Sequence, residues 1–175
     1  APKTLQGIDE PSDFDAFWEA QKKELASVPL KILEKVQVAE DDKAVAYDVK
    51  IDCAGGMPVS GYLVMPKHAK DASLPAEVGY HGYGVRSANY RLNHGYDKIY
   101  LNINAHGIEN GKPQAYYNEL KQGKLKGYAF SKEENADPKT TYFRGMYFRV
   151  MRSLEFVKSL PQWNGKDLKA AGGSQ

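Results

Sequence analysis

The chain has 175 residues, of which 42% are hydrophobic and 26% are charged, proportions typical of one globular domain and not of disordered, collagen-like or coiled-coil chains. Its 24 Lys and Arg residues against 22 Asp and Glu residues leave a net charge of +2, too even to indicate a nucleic acid or an anionic membrane as partner. No apolar run reaches the roughly 18 to 20 residues of a membrane-spanning helix. A single cysteine, Cys53, excludes an intrachain disulfide and leaves the compartment open between secreted, periplasmic and cytoplasmic.

The first predicted element is an amphipathic helix of about 13 residues that follows Pro11. Ser12 and Asp15 stand three residues apart, which is the spacing of a capping box. Apolar side chains then recur at helical spacing, at Phe14, Phe17, Trp18 and Leu25. We therefore expect an outer helix whose apolar stripe lies against the rest of the protein.

Two strands joined by a short glycine-containing connection are predicted next. Apolar and polar residues alternate over 45–51, Ala54-Gly55-Gly56 provides a turn, and a second strand-like run covers 59–65. These runs predict an antiparallel hairpin, with residues 32–38 as a candidate third strand. Cys53 lies at the tip of the hairpin, where we expect a structural or incidental role and not nucleophilic chemistry.

After Pro75 the pattern changes to short, buried-looking strands separated by longer segments. These strands are predicted over residues 76–80, 98–103 and 167–171. Such a rhythm is typical of parallel βαβ units.

A long amphipathic helix is predicted before the last of these strands. Pro161 ends it, and Asn164-Gly165 turns the chain into the strand. Seven apolar side chains share one helical face, which should pack on the sheet: Phe143, Met146, Tyr147, Val150, Met151, Leu154 and Val157.

The segment between Gly107 and Thr140 contains Gly, Pro, Lys and Asn throughout and reads as a long loop, which inside a domain is typical of a lid, a binding loop or a disordered segment. The Tyr116-Tyr117 pair has two interpretations. It stacks on a sugar or another ring, or it packs the loop against its own domain.

The strongest functional signal is the sequence Ala171-Gly172-Gly173-Ser174-Gln175, directly after a predicted strand. Gly172 and Ser174 fit the first and third positions of the G-x-S-x-G nucleophile elbow, whose small residues permit a sharp turn from strand to helix. Such a turn exposes the serine hydroxyl and aims backbone N–H groups at developing negative charge. Ser174 is therefore the predicted nucleophile, and the amide of Gln175 is one predicted oxyanion donor.

A second oxyanion donor is predicted in Tyr80-His81-Gly82-Tyr83-Gly84, a glycine-rich turn after the strand at residue 76. The amide of Tyr83 is the predicted donor. Read without this context, Gly-Gly-Ser-Gln is a flexible loop, and it is a poor phosphate cradle because no Gly-Lys-Ser/Thr follows. His81 and His106 lack a second ligand at metal spacing, so hydrogen-bonded loop histidines are favoured over a triad or a metal site.

In α/β-hydrolases the three catalytic residues occur along the chain in the order Ser, then Asp or Glu, then His. We therefore expect the acid and the histidine beyond residue 175, and we expect the chain to be truncated at the nucleophile elbow. The predicted fold class is α/β: the N-terminal half of a single α/β-hydrolase domain over residues 1–175, in which an antiparallel hairpin leads into a mostly parallel sheet with flanking helices. The remainder of that domain is an expected partner.

These residues resemble the acetyl xylan esterase and cephalosporin C deacetylase family of α/β-hydrolases. The likeness covers most of the chain and rests on the following motifs: Asp13-Phe14-Asp15-Ala16-Phe17-Trp18, Gly82-Tyr83, Tyr142-Phe143-Arg144, Arg152, Glu155, Ser159-Leu160-Pro161-Gln162 and Ala171-Gly172-Gly173-Ser174-Gln175. The chain departs from the family at His106-Gly107-Ile108, where well-studied members carry Arg-Gly-Gln, and at Asn104, where they carry Asp. This departure bears on substrate range and on hexameric assembly.

The resemblance implies a serine carboxylesterase that deacetylates small acetylated substrates, such as acetylated xylo-oligosaccharides, through an acyl-enzyme. It implies no metal or organic cofactor and an assembly into homo-oligomers. Two alternatives stay open. One is another α/β-hydrolase, either a peptidase or a non-acetyl esterase; the other is a non-catalytic carbohydrate-binding or scaffold protein that uses Trp18, Trp163 and the tyrosine-rich loop.

Overall fold

The computed structural model describes Gly7 and residues 9–174, which form six strands and three helices. Two short 3₁₀ turns, at Leu92–Gly95 and Glu134–Ala136, complete the described elements. The helices and strands have these bounds: α1 Phe14–Ser27, β1 Ile32–Glu40, β2 Ala44–Ile51, β3 Val59–Pro66, β4 Leu74–Tyr80, β5 Ile99–Ile103, α2 Gln114–Gln122, α3 Tyr142–Ser159 and β6 Trp163–Gly172.

The strands form one mixed sheet with the order β1-β2-β3-β5-β4-β6. β2 pairs antiparallel with β1 and with β3, and β3 pairs antiparallel with β5. β4 lies parallel to both β5 and β6. The predicted hairpin, its third strand and the three parallel strands are therefore confirmed, and the carboxyl ends of β4, β5 and β6 meet at one edge of the sheet.

The main core lies between the sheet and α3. Its members come from all the central strands and from the helix, and several of them are at most 1% exposed: Ile51, Leu63, Val78, Leu101, Phe148 and Phe156. A smaller cluster of Ala44, Ala46 and Val64 lies apart from this core and packs against Leu92 of the first 3₁₀ turn.

The predicted capping box of α1 is wrong. The residue before the helix is Asp13, and its side chain makes no capping hydrogen bond. The Phe17 N–H donates to the Asp13 carbonyl at 2.8 Å, so helical hydrogen bonding begins one residue after Ser12. That shift removes the reciprocal geometry that Ser12 and Asp15 would need.

Helix α3 packs on the sheet as predicted, but the buried face is not the predicted stripe. Only Val157 of the seven apolar residues is buried, and Tyr147 is 43% exposed. The buried face instead contains two charged residues, which hydrophobic periodicity counts as solvent-facing. Its members are Phe148, Arg149, Arg152, Ser153, Phe156 and Val157.

One of these arginines joins α3 to the end of α1. Arg152 is 3% exposed, and its Nη2 donates to the carbonyls of Leu25 and Val28 at 2.7 Å each. Its Nη1 lies 3.3 Å from Glu155 Oε2. The last carbonyls of a helix lack their usual i+4 donors, and here the guanidinium supplies donors to two of the carbonyls at the end of α1, while the Val28 N–H also donates to Leu25.

We expect Arg152→Met to lower the free energy of unfolding by about 2–4 kcal/mol, because it removes two hydrogen bonds from a charged donor and leaves the Leu25 carbonyl with only the Val28 N–H as its described donor. Urea unfolding of the variant and of the wild type measures the difference. Arg91→Met, which changes an exposed arginine, is the control and should change stability by less than about 0.5 kcal/mol. Equal losses in both variants would contradict the role assigned to Arg152.

The last strand differs from the buried strand that its sequence predicts. β6 extends over ten residues, and none of them is buried. The physical reason is its position, since β4 is its one neighbour among the described strands. The connection from β4 to β5 also carries a 3₁₀ turn in place of the helix of a regular βαβ unit.

Residues 107–140 are more ordered than the predicted loop. They contain α2 and the second 3₁₀ turn, and Tyr117 is buried with its hydroxyl donating to the Glu109 carbonyl at 3.0 Å. No helix in the described part of the chain has the length and apolar character needed to cross a membrane.

Candidate functional site

Ser174 stands on a strained turn at the carboxyl end of the sheet. It follows β6 by two residues, it is exposed, and its backbone φ is +71°. Non-glycine residues rarely adopt a positive φ, and such strain concentrates at functional sites. The chain therefore bends sharply at the residue that the motif identifies.

The turn after β4 contacts Ser174 directly. A Cβ added at Gly82 would lie 2.9 Å from the Gly173 carbonyl oxygen and 3.0 Å from Ser174 Cβ. The same Cβ would lie 3.6 Å from Ser174 Oγ. The absence of a side chain at Gly82 thus permits the approach of the two backbones, and the serine and the predicted oxyanion loop come together as expected from parallel strands that share an edge.

Tyr83 lies in the middle of this loop, which we define as residues 82–84. Its ring is half exposed and stacks on Tyr128, with ring centroids 4.4 Å apart and planes 12° apart. Because Gly82 lies against Ser174, the adjacent Tyr83 amide belongs to a backbone segment next to the serine. Gln175, the other predicted donor, lies outside the described residues.

Hydrogen bonds hold both ends of the 82–84 loop. The His81 Nδ1–H donates to the Gly82 carbonyl at 2.6 Å, and the Tyr128 hydroxyl accepts from the Gly84 N–H at 2.7 Å. The Gly84 carbonyl accepts from His106 Nε2–H at 3.1 Å. The loop is therefore held in place from three sides.

Both histidines are hydrogen-bonded loop residues, which confirms the favoured interpretation. His81 Nε2 accepts from the Ala105 N–H at 3.1 Å, and His106 Nδ1 lies 2.8 Å from the Tyr142 hydroxyl. Burial lowers the pKa of His81, and it lowers the pKa of His106 to about 4. Both rings are therefore neutral near pH 7, with tautomers fixed by the carbonyls of Gly82 and Gly84.

His106 should make the protein less stable in acid. The pKa of His106 is about 4 when folded against an ordinary value of 6.5, so the unfolded chain binds the proton more readily between these pH values. The contribution of about 3 kcal/mol is fully present above pH 6.5 and is lost as the pH falls towards 4. Urea unfolding across this range should show a shallower pH dependence for His106→Gln. An unchanged dependence, matching that of the exposed-residue control His68→Gln, would contradict the assignment.

The other residues considered as functional candidates, Cys53, Trp18 and Trp163, make contacts within the fold. Cys53 is buried, and desolvation raises the pKa of its thiol to about 11, which leaves too little thiolate for nucleophilic attack near pH 7. Trp18 makes edge contacts with the rings of Phe14, Phe17 and Tyr147. Trp163 Nε1–H donates to the Asp167 carbonyl at 3.1 Å. In the described residues no group of three or more His, Cys, Asp or Glu side chains could hold a metal ion.

Three residues of the site were missed by sequence reasoning. Tyr128 lies in the segment read as a loop, Tyr142 begins α3 and was named only for the family resemblance, and Arg149 lies on the helix face read as polar. Their partners are distant in sequence: Arg149 Nε and Nη2 donate to the Ala105 carbonyl at 2.9 and 2.6 Å. The one sequence signal for these residues was the presence of tyrosines in and after the predicted loop, and this signal does not identify their hydrogen-bond partners.

The known proteins that resemble the chain include an acetyl esterase and acetyl xylan esterases. The chain is 27% identical to the acetyl esterase Axe7A of Xylanibacter ruminicola, over 94% of this chain and 38% of that protein. It is also 27% identical to the acetyl xylan esterase from Paenibacillus sp. R4, whose structure superposes with a TM-score of 0.77 over 97% of this chain and 54% of that one.

Acetyl xylan esterase 1 from Thermoanaerobacterium sp. JW/SL YS485 shares the fold at 21% identity and a TM-score of 0.72, over 94% of this chain and 51% of that one. The chain thus spans about half the length of these two solved structures and less of the curated relative. The sequence model of the acetyl xylan esterase (AXE1) family matches residues 3–175. Since that match covers nearly all of its length, the chain belongs to the acetyl xylan esterase family.

Proposed function

We propose that this protein is a serine esterase that removes acetyl groups from acetylated carbohydrates, such as acetylated xylo-oligosaccharides, through an acyl-enzyme. The family and the acetyl esterases that resemble the chain support the acetyl ester as substrate class. The observation that carries the proposal is the contact between Gly82 and Ser174. It brings an exposed serine with a strained backbone next to the glycine-rich loop that contains the Tyr83 amide.

In the proposed reaction, Ser174 Oγ attacks the acetyl carbonyl carbon, and its proton passes to a general base. The carbonyl oxygen becomes a tetrahedral oxyanion, stabilised by the amides of Tyr83 and Gln175. The intermediate collapses to acetyl-Ser174 as the sugar leaves with a proton from that same base. Water then attacks the acetyl-serine, acetate leaves, and the proton returns to Oγ.

The general base is proposed to come from residues beyond 175, as the family resemblance implies. His81 and His106 do not suit the task, because all four of their ring nitrogens already have hydrogen-bond partners. Their role in this account is to hold the 82–84 loop, whose amide must stay fixed while charge develops on the substrate.

The full-length protein should hydrolyse p-nitrophenyl acetate and release acetate from acetylated xylo-oligosaccharides. A pocket shaped for an acetyl group should disfavour p-nitrophenyl butyrate by roughly 10- to 200-fold in kcat/KM for each added methylene. Equal rates for acetate and butyrate would favour a non-acetyl esterase. Sugar binding without any ester turnover would favour the carbohydrate-binding alternative.

Tyr128→Phe should lower kcat by about 5- to 100-fold while KM changes little. The change removes the oxygen that accepts the Gly84 N–H and keeps the ring that stacks on Tyr83, and an unsatisfied donor costs about 1–3 kcal/mol. Steady-state kinetics with p-nitrophenyl acetate measure the effect. Tyr96→Phe, which removes a hydroxyl bonded to Asp41, is the control. A kcat for Tyr128→Phe as high as that of the control would contradict the role of the loop.

A further inference from the structure

A cavity of about 470 Å³ lies apart from the Ser174 turn, and the proposed chemistry makes no use of it. Its wall combines the β2–β3 connection, the loop after β5, α2 and the first turn of α3. We call it the α2–α3 cavity. Its volume falls within the about 300–1,000 Å³ that is usual for small-molecule sites. Neither Ser174 nor the 82–84 loop lines it, although His106 contributes to its wall and also bonds Gly84.

Arg149 brings a buried positive charge to the wall of this cavity. The residue is 3% exposed, and its Nε and Nη2 both donate to the neutral Ala105 carbonyl. No carboxylate in the described part of the chain forms an ion pair with it. A buried charge without a counter-charge is unfavourable, so an anion in the cavity would stabilise it.

The amino end of α3 also favours the binding of an anion. Thr141 precedes the helix and makes no side-chain capping hydrogen bond, and the first turn contains no acidic residue. Thr140, Thr141 and Tyr142 all line the cavity. The partial positive charge of a helix amino terminus and its unpaired N–H groups favour a negatively charged ligand.

Two lysines add to the positive charge of the lining. Lys124 and Lys139 are exposed, and within the described residues neither lies in an ion pair. The other charged lining residues lie in ion pairs: Glu109 pairs with Lys50, which Glu34 shares, and Arg144 pairs with Glu24. The cavity therefore has an excess of uncompensated cations.

Aromatic rings complete the lining. Tyr116 and Tyr142 both border the cavity, and Tyr116 is half-buried while its neighbour Tyr117 is fully packed. A ring face beside cationic donors suits a ligand with both an apolar ring surface and a negative group.

We propose that the α2–α3 cavity binds a carboxylated sugar, with the carboxylate facing Arg149 and the amino end of α3. The sugar part of this assignment rests on the proposed function, because an acetylated polysaccharide that carries uronic acid residues would present both groups to one protein. The cavity would then select substrates by an acidic sugar unit, separately from the acetyl group that reacts at Ser174.

Isothermal titration calorimetry of the full-length protein with glucuronic acid, glucose and inorganic phosphate near pH 7 tests this assignment. Glucuronate should bind, glucose should bind at least about 10-fold more weakly, and added salt should weaken glucuronate binding because the attraction is electrostatic. Glucose as tight as glucuronate would overturn the proposal. Phosphate as tight as glucuronate would show a general anion site and would also overturn it.

The variants separate this cavity from the rest of the surface. Replacing both Lys124 and Lys139 with Ala should weaken glucuronate binding roughly 2- to 30-fold, whereas Lys121→Ala, on α2 but outside the lining, should leave it unchanged. Arg149→Lys, which keeps the charge but loses the planar fork, should weaken it further. Unchanged binding in the double lysine variant would overturn the proposal even if the Arg149 variant fails to fold.

Failure of this proposal is distinguishable from failure of the proposed esterase. Binding is measured without turnover, so Ser174→Ala should bind glucuronate as the wild type does. Ester hydrolysis that survives in Ser174→Ala would refute the assignment of the nucleophile and leave the glucuronate-binding result unaffected. Wild-type hydrolysis without glucuronate binding would refute the cavity proposal and leave the proposed esterase unaffected.

Discussion

Ser174→Ala should abolish ester hydrolysis, with kcat for p-nitrophenyl acetate falling roughly a millionfold in the full-length protein. The physical reason is that no acyl-enzyme forms without Oγ, so a two-step reaction reverts to direct attack by water. The residue is exposed, so the change removes no buried contact, and urea unfolding should match the wild type within about 0.5 kcal/mol.

The matched control for this substitution is Ser73→Ala. Ser73 is also exposed, but it lies at the opposite end of β4, where its hydroxyl donates to the Lys70 carbonyl at 2.6 Å. Its variant should keep full activity. Turnover by Ser174→Ala at the rate of the Ser73 variant would remove Ser174 from the mechanism.

Gly82→Ala should lower kcat by about 100- to 1,000-fold, the range typical of losing one oxyanion donor. A methyl group there would lie 2.9 Å from the Gly173 carbonyl oxygen, closer than a Cβ normally comes to a backbone atom, and 3.0 Å from Ser174 Cβ, which is tighter than most Cβ contacts. Either the loop or the serine must move, and both movements separate the Tyr83 amide from the reacting carbonyl. Comparing kcat with the affinity for a trifluoromethyl ketone, which forms a tetrahedral oxyanion, should show parallel losses.

A control for the added methyl group is Gly7→Ala, where a Cβ would meet no atom within 4 Å. That variant should keep the wild-type kcat. If Gly82→Ala also kept it, the contact between the two turns would have no catalytic importance, and the account of the site would have to change.

The hairpin and the parallel strands were accessible from sequence because local patterns determine them. Alternation over 45–51 and 59–65 predicts a half-buried hairpin, and these residues form β2 and β3 in full antiparallel register. The strands predicted over residues 76–80 and 98–103 correspond to β4 and β5, which pair in parallel. Each of these predictions needed only the period of the side chains and the glycines between them.

The buried face of α3 was not accessible in the same way. Periodicity assigns arginines to the solvent, whereas Arg149 and Arg152 are buried because distant carbonyls accept their hydrogen bonds. The Ala105 carbonyl lies in the loop after β5, and the Leu25 carbonyl lies in the last turn of α1. No local sequence pattern identifies either of them as a partner of α3. The apolar residues that were expected inside, such as Tyr147, consequently lie on partly open surface.

The same distinction applies to the candidate site. Ser174 and the glycine-rich loop that carries the Tyr83 amide were predicted together because a strand, a tight turn and small residues recur as one motif. The residues that hold the loop could not be found from sequence, since Tyr128 reaches Gly84 across 44 positions and Tyr142 reaches His106 across 36. Such contacts depend on how residues 107–140 fold back over the sheet.

Covalent labelling tests the central claim most directly. The full-length protein is treated with diisopropyl fluorophosphate, digested and mapped by mass spectrometry while residual esterase activity is followed. Our account predicts that activity disappears as one phosphoryl group accumulates on the peptide that contains Ser174, and that neither Ser174→Ala nor the acid-unfolded protein is labelled there. Inactivation with the phosphoryl group on a different residue, or full labelling of Ser174 with activity retained, would contradict it.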